Sequence, residues 1–284
     1  MTRRTSSELA ARRTRITRVA TLSVILCLLT VSAAAAHDLF LKPTRYFAPE
    51  NAEVRMRVLN GTFTKSENSI ARNRLADASV LTPRGRSKID TTEWSVRGDT
   101  STFHIHAREA GTYVIGASTK PSIIALSADD FNLYLKDDGI PDILEARKKA
   151  GELAKPAKER YHKHVKAMIQ VGDAPSDLYK TAFGYPAELM PLENPYGLKA
   201  GGTLRVQTLV DGKPAANQYV LYGGLTADEK GIEQKDVRSN AQGVASIPLR
   251  VAGTWYVKFI NMARLKGDSA DYESKWATLT FQVR

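Results

Sequence analysis

Apolar and polar residues alternate with a period of two in two parts of the chain, which is typical of half-buried β-strands. In the first part, residues 54–58 and 102–108 show the pattern, and Asn60-Gly61 supplies a turn. In the second part the runs are 204–206, 219–221, 245–247, 255–259 and 277–283. Gly, Asp and Asn separate these runs, as in antiparallel sheets. We therefore predict a mainly β fold with two tandem antiparallel Ig-like or transthyretin-like β-sandwiches, at 37–128 and 198–284.

The period changes between the two β regions. Ile140, Ile143 and Leu144 fall at helical spacing, and Pro141 suits a first helical turn. A second helix is expected from Pro156, with an apolar stripe at 157, 161, 165 and 168. We therefore predict a helical insertion at 129–182. The proline-rich residues 183–197 indicate an extended linker, and the arginine-rich stretch 64–86 indicates a long loop with at most one short strand.

Short matches link the two β regions. Val54–Gly61 is similar to Leu204–Gly212, and Ala110-Gly-Thr-Tyr-Val114 is similar to Ala252-Gly-Thr-Trp-Tyr256. Each glycine-threonine motif follows its turn glycine by a comparable interval. Two related sandwiches are the simplest explanation.

The first 36 residues have the three parts of a secretory signal peptide. Six arginines precede Val19, the uncharged run 19–29 follows, and the stretch ends in Ala34-Ala-Ala36. We expect cleavage near Ala36, with an uncleaved membrane anchor as the alternative. The apolar run is short against the ~20 residues that a membrane span needs. No other uncharged stretch of the chain is long enough for a span, so no membrane span is expected after cleavage.

Cleavage changes the charge and the cysteine count. The whole chain has a net charge of +11, but six of its 41 basic residues and one of its 30 acidic residues precede residue 37. The remaining charge is +6 with no basic tract, which argues against a nucleic-acid partner. The single cysteine, Cys27, is removed with the signal. The sequence contains no GxSxG, Walker or GxGxxG motif, so we do not expect an enzyme.

Several segments together resemble a known bacterial family. They are Ala36-His-Asp-Leu-Phe40, Phe131-Asn-Leu-Tyr-Leu135 with Gly139, Glu188-Leu-Met-Pro-Leu-Glu-Asn-Pro-Tyr196, Gly212-Lys-Pro214 with Ala216-Asn217, Gly253-Thr-Trp255, Tyr272-Glu-Ser274 and Trp276-Ala-Thr-Leu-Thr-Phe281. They resemble a family of periplasmic proteins that carries a domain of unknown function and has been grouped with nickel and cobalt uptake systems. The resemblance implies a periplasmic protein of two β parts, with an inner-membrane metal transporter component as a partner. It implies no catalytic mechanism.

Histidines supply the candidate chemistry. His37 would become the amino-terminal residue, so its α-amine and imidazole could bind one metal ion together. His104 and His106 would lie on one face of a strand, with Cα atoms about 6.5–7 Å apart. The candidate metal ligands are therefore His37, His104 and His106. An equally simple interpretation makes the pair solvated residues opposite a core face. His162 and His164, in the expected helix, would point ~200° apart and away from each other.

We therefore expect an exported, non-enzymatic protein that binds or delivers nickel, cobalt or copper, linked to metal uptake. One alternative is a structural or adhesion module without metal. Another is a copper enzyme in which His37 and the pair 104/106 together form a histidine brace.

Overall fold

The computed structural model describes residues 37–284, and strands dominate that range. In chain order the strands are β1 Asp38–Pro43, β2 Phe47–Ala48, β3 Ala52–Gly61, β4 Ser66–Asn68, β5 Leu75–Thr82, β6 Gly85–Lys88, β7 Ser95–Arg97, β8 Thr100–Ala107, β9 Gly111–Thr119, β10 Ser122–Leu126, β11 Ala157–Val171, β12 Ala187–Pro191, β13 Gly202–Val210, β14 Lys213–Pro214, β15 Tyr219–Thr226, β16 Gly231–Arg238, β17 Val244–Leu249, β18 Gly253–Arg264 and β19 Tyr272–Val283. The helices are α1 Ala128–Asp137 and α2 Pro141–Lys149, with 3₁₀ turns at Arg72–Arg74, Thr91–Glu93, Asp177–Lys180 and Pro195–Gly197. The prediction of a mainly β chain is confirmed. The predicted signal peptide, 1–36, lies outside the described residues.

The strands form three sheets. Sheet A has the order β1-β3-β8-β7, with β4 also paired to β3. Sheet B is the central sheet and has the order β16-β15-β18-β19-β11-β9-β5-β6, with β2 and β10 also paired to β11. Sheet C has the order β12-β13-β14, with β17 also paired to β13. Both β regions of the chain therefore contribute strands to sheet B.

Strand β11 joins the two regions. It pairs antiparallel with β9 and parallel with β19, from Glu159↔Tyr272 to Ala167↔Thr280. Val165, Ala167 and Ile169 of β11 lie in the core beneath sheet A, whereas Met168 lies in the core beneath sheet C. Because successive side chains of a strand point to opposite faces, sheets A and C cover opposite faces of sheet B.

The order of the strands repeats. The order β1-β3-β8 in sheet A matches β12-β13-β17 in sheet C, and β6-β5-β9-β11 matches β16-β15-β18-β19 within sheet B. The two similar segments 110–114 and 252–256 begin the equivalent strands β9 and β18. A Cβ atom at Gly253 would lie 2.2 Å from the carbonyl oxygen of Leu225, so this position of the motif requires glycine.

The structure corrects three local predictions from the sequence. The expected helix from Pro156 is wrong, because residues 157–171 form β11. This strand is covered on both faces, so its apolar residues do not alternate clearly with polar ones. The loop expected at 64–86 contains β4, β5 and β6, and the extended linker at 183–197 contains β12 of sheet C. The helical part of the insertion is therefore limited to 128–149.

Local sequence signals determine where the two helices begin and end. The Ser127 hydroxyl accepts a hydrogen bond from the Asp130 amide at 3.1 Å and caps α1. After α1, Gly139 adopts φ +78°, and Pro141 begins α2. Phe131, Leu135 and their neighbours pack against Trp276 at the end of sheet B. Neither helix is long and apolar enough to cross a membrane, a finding restricted to residues 37–284.

Candidate functional site

His104 and His106 lie on the outer face of sheet A. Phe103, Ile105 and Ala107 alternate with them along β8 and are buried in the core. The side chains of His104 and His106 are 32% and 53% exposed. The two imidazoles therefore share one accessible face, as the alternation predicts.

Glu93 faces both imidazoles from the turn before β7. Its carboxylate oxygens lie 3.6 Å from Nδ1 of His104 and 3.8 Å from Nε2 of His106. On the other side, Glu53 Oε1 of the paired strand β3 lies 3.6 Å from Nε2 of His104. These separations are too long for hydrogen bonds. The pair and Glu93 line an open cleft of about 360 Å³ between β8 and the β5–β6 hairpin.

His37 is held in place by charged residues from other elements. Its Nε2 atom lies 2.5 Å from Oε2 of Glu67, and its carbonyl oxygen accepts a hydrogen bond from the Lys163 ammonium of β11. The next residue, Asp38, pairs with Lys258 of β18 at 2.5 Å. Both lysine side chains are buried. The dipeptide that would begin the mature chain is thus fixed at its ring and its backbone.

Burial shifts the pKa values of the groups around this dipeptide. It raises the pKa of Asp138, 3.3 Å from the Lys258 ammonium, to about 6. It lowers the pKa of Lys163 to about 8, against the opposing effect of the nearby carboxylates. Burial also raises the pKa of Glu159, which accepts a hydrogen bond from Tyr134 at 2.9 Å. The result is a buried network of alternating charges beneath His37 and Asp38.

His37 and the histidine pair lie at opposite ends of sheet A. Asp38 pairs with Gly61 of β3, whereas His104 pairs with Arg55 of the same strand. Gly61 and Arg55 are six residues apart, which separates the two positions by about 20 Å along the strand. Metal–nitrogen bonds of about 2 Å cannot bridge that gap. The alternative in which His37 and the pair 104/106 together form a histidine brace therefore does not fit this separation.

A preformed side-chain metal centre is not present in the described residues. Within 37–284, no three His, Cys, Asp or Glu side chains are arranged to hold a metal ion. A metal ion would need a donor that is not a side chain, such as the α-amine of His37, or water molecules beside the histidine pair. The two histidine positions must therefore be considered separately.

His162 and His164 behave differently from the expectation. They lie on the same face of β11, where Nε2 of His164 is 3.1 Å from Nδ1 of His162, and the Ser118 hydroxyl is 2.9 Å from Nδ1 of His164. Both residues are buried. The prediction that they point away from each other is wrong because this segment is a strand, in which residues two apart share a face.

The acidic and basic partners could not be identified from the sequence. Glu93 and Glu67 lie in turns or short strands, and only the register of the sheets brings them to the histidines. Lys258 lies in an otherwise apolar run of β18, which is uncommon for an unpaired lysine and is a signal in the sequence. Lys163 lies between His162 and His164 in β11 and has no such signal.

Solved structures to which the chain is distantly similar include the following three. A DUF4785 family protein from Legionella pneumophila is 9% identical, with 76% of this chain and 50% of that chain covered and a TM-score of 0.24. The BSP domain of a biofilm-associated protein is 10% identical, with coverage of 85% and 29% and a TM-score of 0.20. A two-domain fibronectin type III segment of chicken tenascin is 11% identical, with coverage of 87% and 98% and a TM-score of 0.22. The chain thus spans half the length of the Legionella protein.

No curated protein matches the sequence. Residues 34–263, most of the chain, match one protein family. The chain belongs to the family defined by the domain of unknown function DUF4198.

Proposed function

We propose that this chain is an exported, periplasmic binding protein that holds a nickel, cobalt or copper ion at its mature amino terminus and delivers it for uptake. The supporting observation is the way in which Glu67, Lys163 and Lys258 fix His37 and Asp38. The proposal depends on removal of residues 1–36, which makes the nitrogen of His37 a primary amine.

The contact with Glu67 sets the imidazole tautomer. A carboxylate 2.5 Å from Nε2 favours a proton on that nitrogen and leaves the lone pair on Nδ1. In histidine metal sites, a carboxylate commonly orients the ring in this way through the nitrogen that does not bind the metal. Nδ1 and the α-amine of one residue then form a six-membered chelate ring with a metal ion.

The fixed backbone contributes to affinity. A chelating amino terminus that moves freely loses conformational entropy on binding. The hydrogen bond from Lys163 to the His37 carbonyl and the buried pair between Asp38 and Lys258 restrict this motion before the metal arrives. The carboxylates of Asp38, Glu67 and Asp138 offset the charges of the two lysines, so the surroundings tolerate a cation.

Two chains that differ by one residue test the proposal. One begins at His37 and the other begins at Ala36, which moves the amine without changing any side chain of the described residues. We expect the chain that begins at His37 to bind Cu(II) and Ni(II) at least tenfold more tightly in isothermal titration, with Cu(II) tighter than Ni(II). Amino-terminal sequencing of the exported protein establishes which chain exists in the cell.

His37→Ala is the matched variant in the chain that begins at residue 37. It retains the amine but lacks the ring, and we expect it to lose the tight site. Equal metal affinity for the two chains, or unchanged affinity in His37→Ala, would contradict the proposal. Delivery to an inner-membrane transporter component is tested by cellular metal accumulation in a strain that carries only the His37→Ala protein.

A further inference from the structure

The geometry points to a second, independent metal site: we propose that His104 and His106 bind a divalent transition-metal ion, such as Zn(II), Ni(II) or Cu(II), as a strand chelate completed by water. This site lies about 20 Å from His37 along sheet A. It needs neither the α-amine nor processing of the chain, so it does not rest on the function proposed above.

The two imidazoles have the spacing that a shared ion needs. Residues two apart on a strand place their Cα atoms about 6.5–7 Å apart on one face, and each ring can turn towards the midpoint. Phe103 and Ile105 anchor the backbone of β8 in the core beneath, so the strand itself is rigid. Two protein ligands with water in the remaining positions are compatible with the lack of a preformed three-ligand group in residues 37–284.

Glu93 is placed to complete the surroundings of the ion. Its two oxygens lie 3.6 and 3.8 Å from one nitrogen of each histidine, which is beyond hydrogen-bond range. Because the carboxylate is hydrogen-bonded to neither ring, it can accept a hydrogen bond from a metal-bound water molecule. It also supplies negative charge beside the cation.

The turn that carries Glu93 is held firmly over β8. The Asp90 carboxylate accepts hydrogen bonds from the amide and the hydroxyl of Thr92, both at 2.9 Å. The ring of Trp94 stacks on Phe103 with a centroid distance of 5.4 Å and an interplanar angle of 12°. The residues on both sides of Glu93 are thus fixed relative to the strand of the two histidines, which is the support that a ligand site requires.

Three basic residues of the same cleft are paired with carboxylates. Arg84 donates to Glu109 at 3.0 Å, and Arg86 and Lys88 both bind the carboxylate of Asp77. Glu53, 3.6 Å from His104, adds a further negative charge on the opposite side. Glu93 and Glu53 thus place two carboxylates beside the pair.

Metal titration of a chain without the His37 ring, and so without the amino-terminal chelate, tests this site. In the His37→Ala protein, we expect Ni(II), Zn(II) or Cu(II) to bind with one ion per chain. The variants His104→Ala and His106→Ala should each weaken this binding at least tenfold, because each leaves a single imidazole. Glu93→Gln should weaken it by a smaller factor, since the amide still accepts a hydrogen bond but has no charge.

Paramagnetic broadening of the imidazole signals identifies the ligands directly. In the same His37→Ala protein, substoichiometric Cu(II) should broaden the resonances of His104 and His106 and leave those of the buried His162 and His164 sharp. Both exposed histidines can be replaced without loss of core packing, so melting temperatures of the variants should equal that of the parent. If His104→Ala/His106→Ala binds metal as well as its parent does, or if the broadening falls on other residues, the second site is refuted.

Discussion

Nε2 of His164 lies 3.1 Å from Nδ1 of His162 inside the protein, so the two buried imidazoles share one hydrogen bond. One ring donates and the other accepts, which requires the accepting ring to be uncharged. Burial lowers the pKa of both histidines, and that of His164 falls to about 3. Glu273, Asp211, Lys275 and Arg160 surround the pair, and their charges largely oppose one another.

This contact predicts a loss of stability in mild acid. The unfolded chain takes up protons on these histidines as the pH falls below about 6.5, whereas folded His164 stays neutral down to about pH 3. The contribution of His164 to the free energy of unfolding is therefore fully present above pH 6.5, and it is lost as the pH falls from 6.5 to 3. We expect a loss of about 2 kcal/mol from His164 between pH 7.5 and 5, measured by urea denaturation. His164→Gln should reduce this dependence and His104→Ala should not; an unchanged slope in His164→Gln would contradict the assignment.

A second buried pair predicts a large effect of one substitution. The Lys166 ammonium lies 3.0 Å from Oε2 of Glu188, and both side chains are at most 3% exposed. Glu188 also accepts hydrogen bonds from the amides of Phe183 and Tyr185, each at 2.8 Å. Lys166→Met would leave this carboxylate buried without its cation, so we expect a loss of about 3–5 kcal/mol in the free energy of unfolding.

An exposed pair of the same type is the control for Lys166. Lys180 binds Asp177 at 2.9 Å, with side chains 50% and 78% exposed. Lys180→Met should leave the free energy of unfolding nearly unchanged, because solvent screens this pair. Similar losses for the two lysines in denaturant titrations would show that burial does not determine the effect.

The glycine-threonine motif predicts a steric effect at β18. A Cβ atom on residue 253 would meet the Leu225 carbonyl at 2.2 Å and must displace backbone. Gly231 of β16 has open space around its Cβ position. We expect Gly253→Ala to lower the free energy of unfolding by at least about 2 kcal/mol and Gly231→Ala to leave it nearly unchanged. Equal melting temperatures of the two variants would show that β18 shifts without cost.

The sequence predicted the parts of the fold in which one face of a strand meets solvent. The alternation around Val54 in β3 and Ile105 in β8 identified both strands and their inner faces. The alternation failed to identify β11, because this strand is buried on both faces. Nearly every position of β11 therefore holds an apolar residue or a polar residue with a hydrogen-bonding or ionic partner. The wrong helix there concealed the contact between His162 and His164.

The candidate site was predictable only in part. Periodicity placed His104 and His106 together, since two residues on one strand need no tertiary information. Their partner Glu93 and the separation from His37 depend on which strands pair and in which register. Long-range pairing of this kind leaves no periodic pattern in a single sequence.

The buried pair between Asp38 and Lys258 predicts that the first residue of β1 contributes strongly to holding this strand in place. Lys258 is 5% exposed and lies 2.5 Å from the Asp38 carboxylate, and beyond it the hydroxyls of Thr278 and Thr280 donate to β1 carbonyls. Asp38→Ala would leave Lys258 with Asp138 alone, so we expect a loss of about 3 kcal/mol. Hydrogen exchange should accelerate at the amides of β1 before it does in β3.

Asp211→Ala, which removes an exposed partner of Lys275, should change neither measurement. If β1 exchanges at the parental rate in Asp38→Ala, the ion pair does not hold the strand, and the fixed position of His37 must then depend on Lys163 and Glu67.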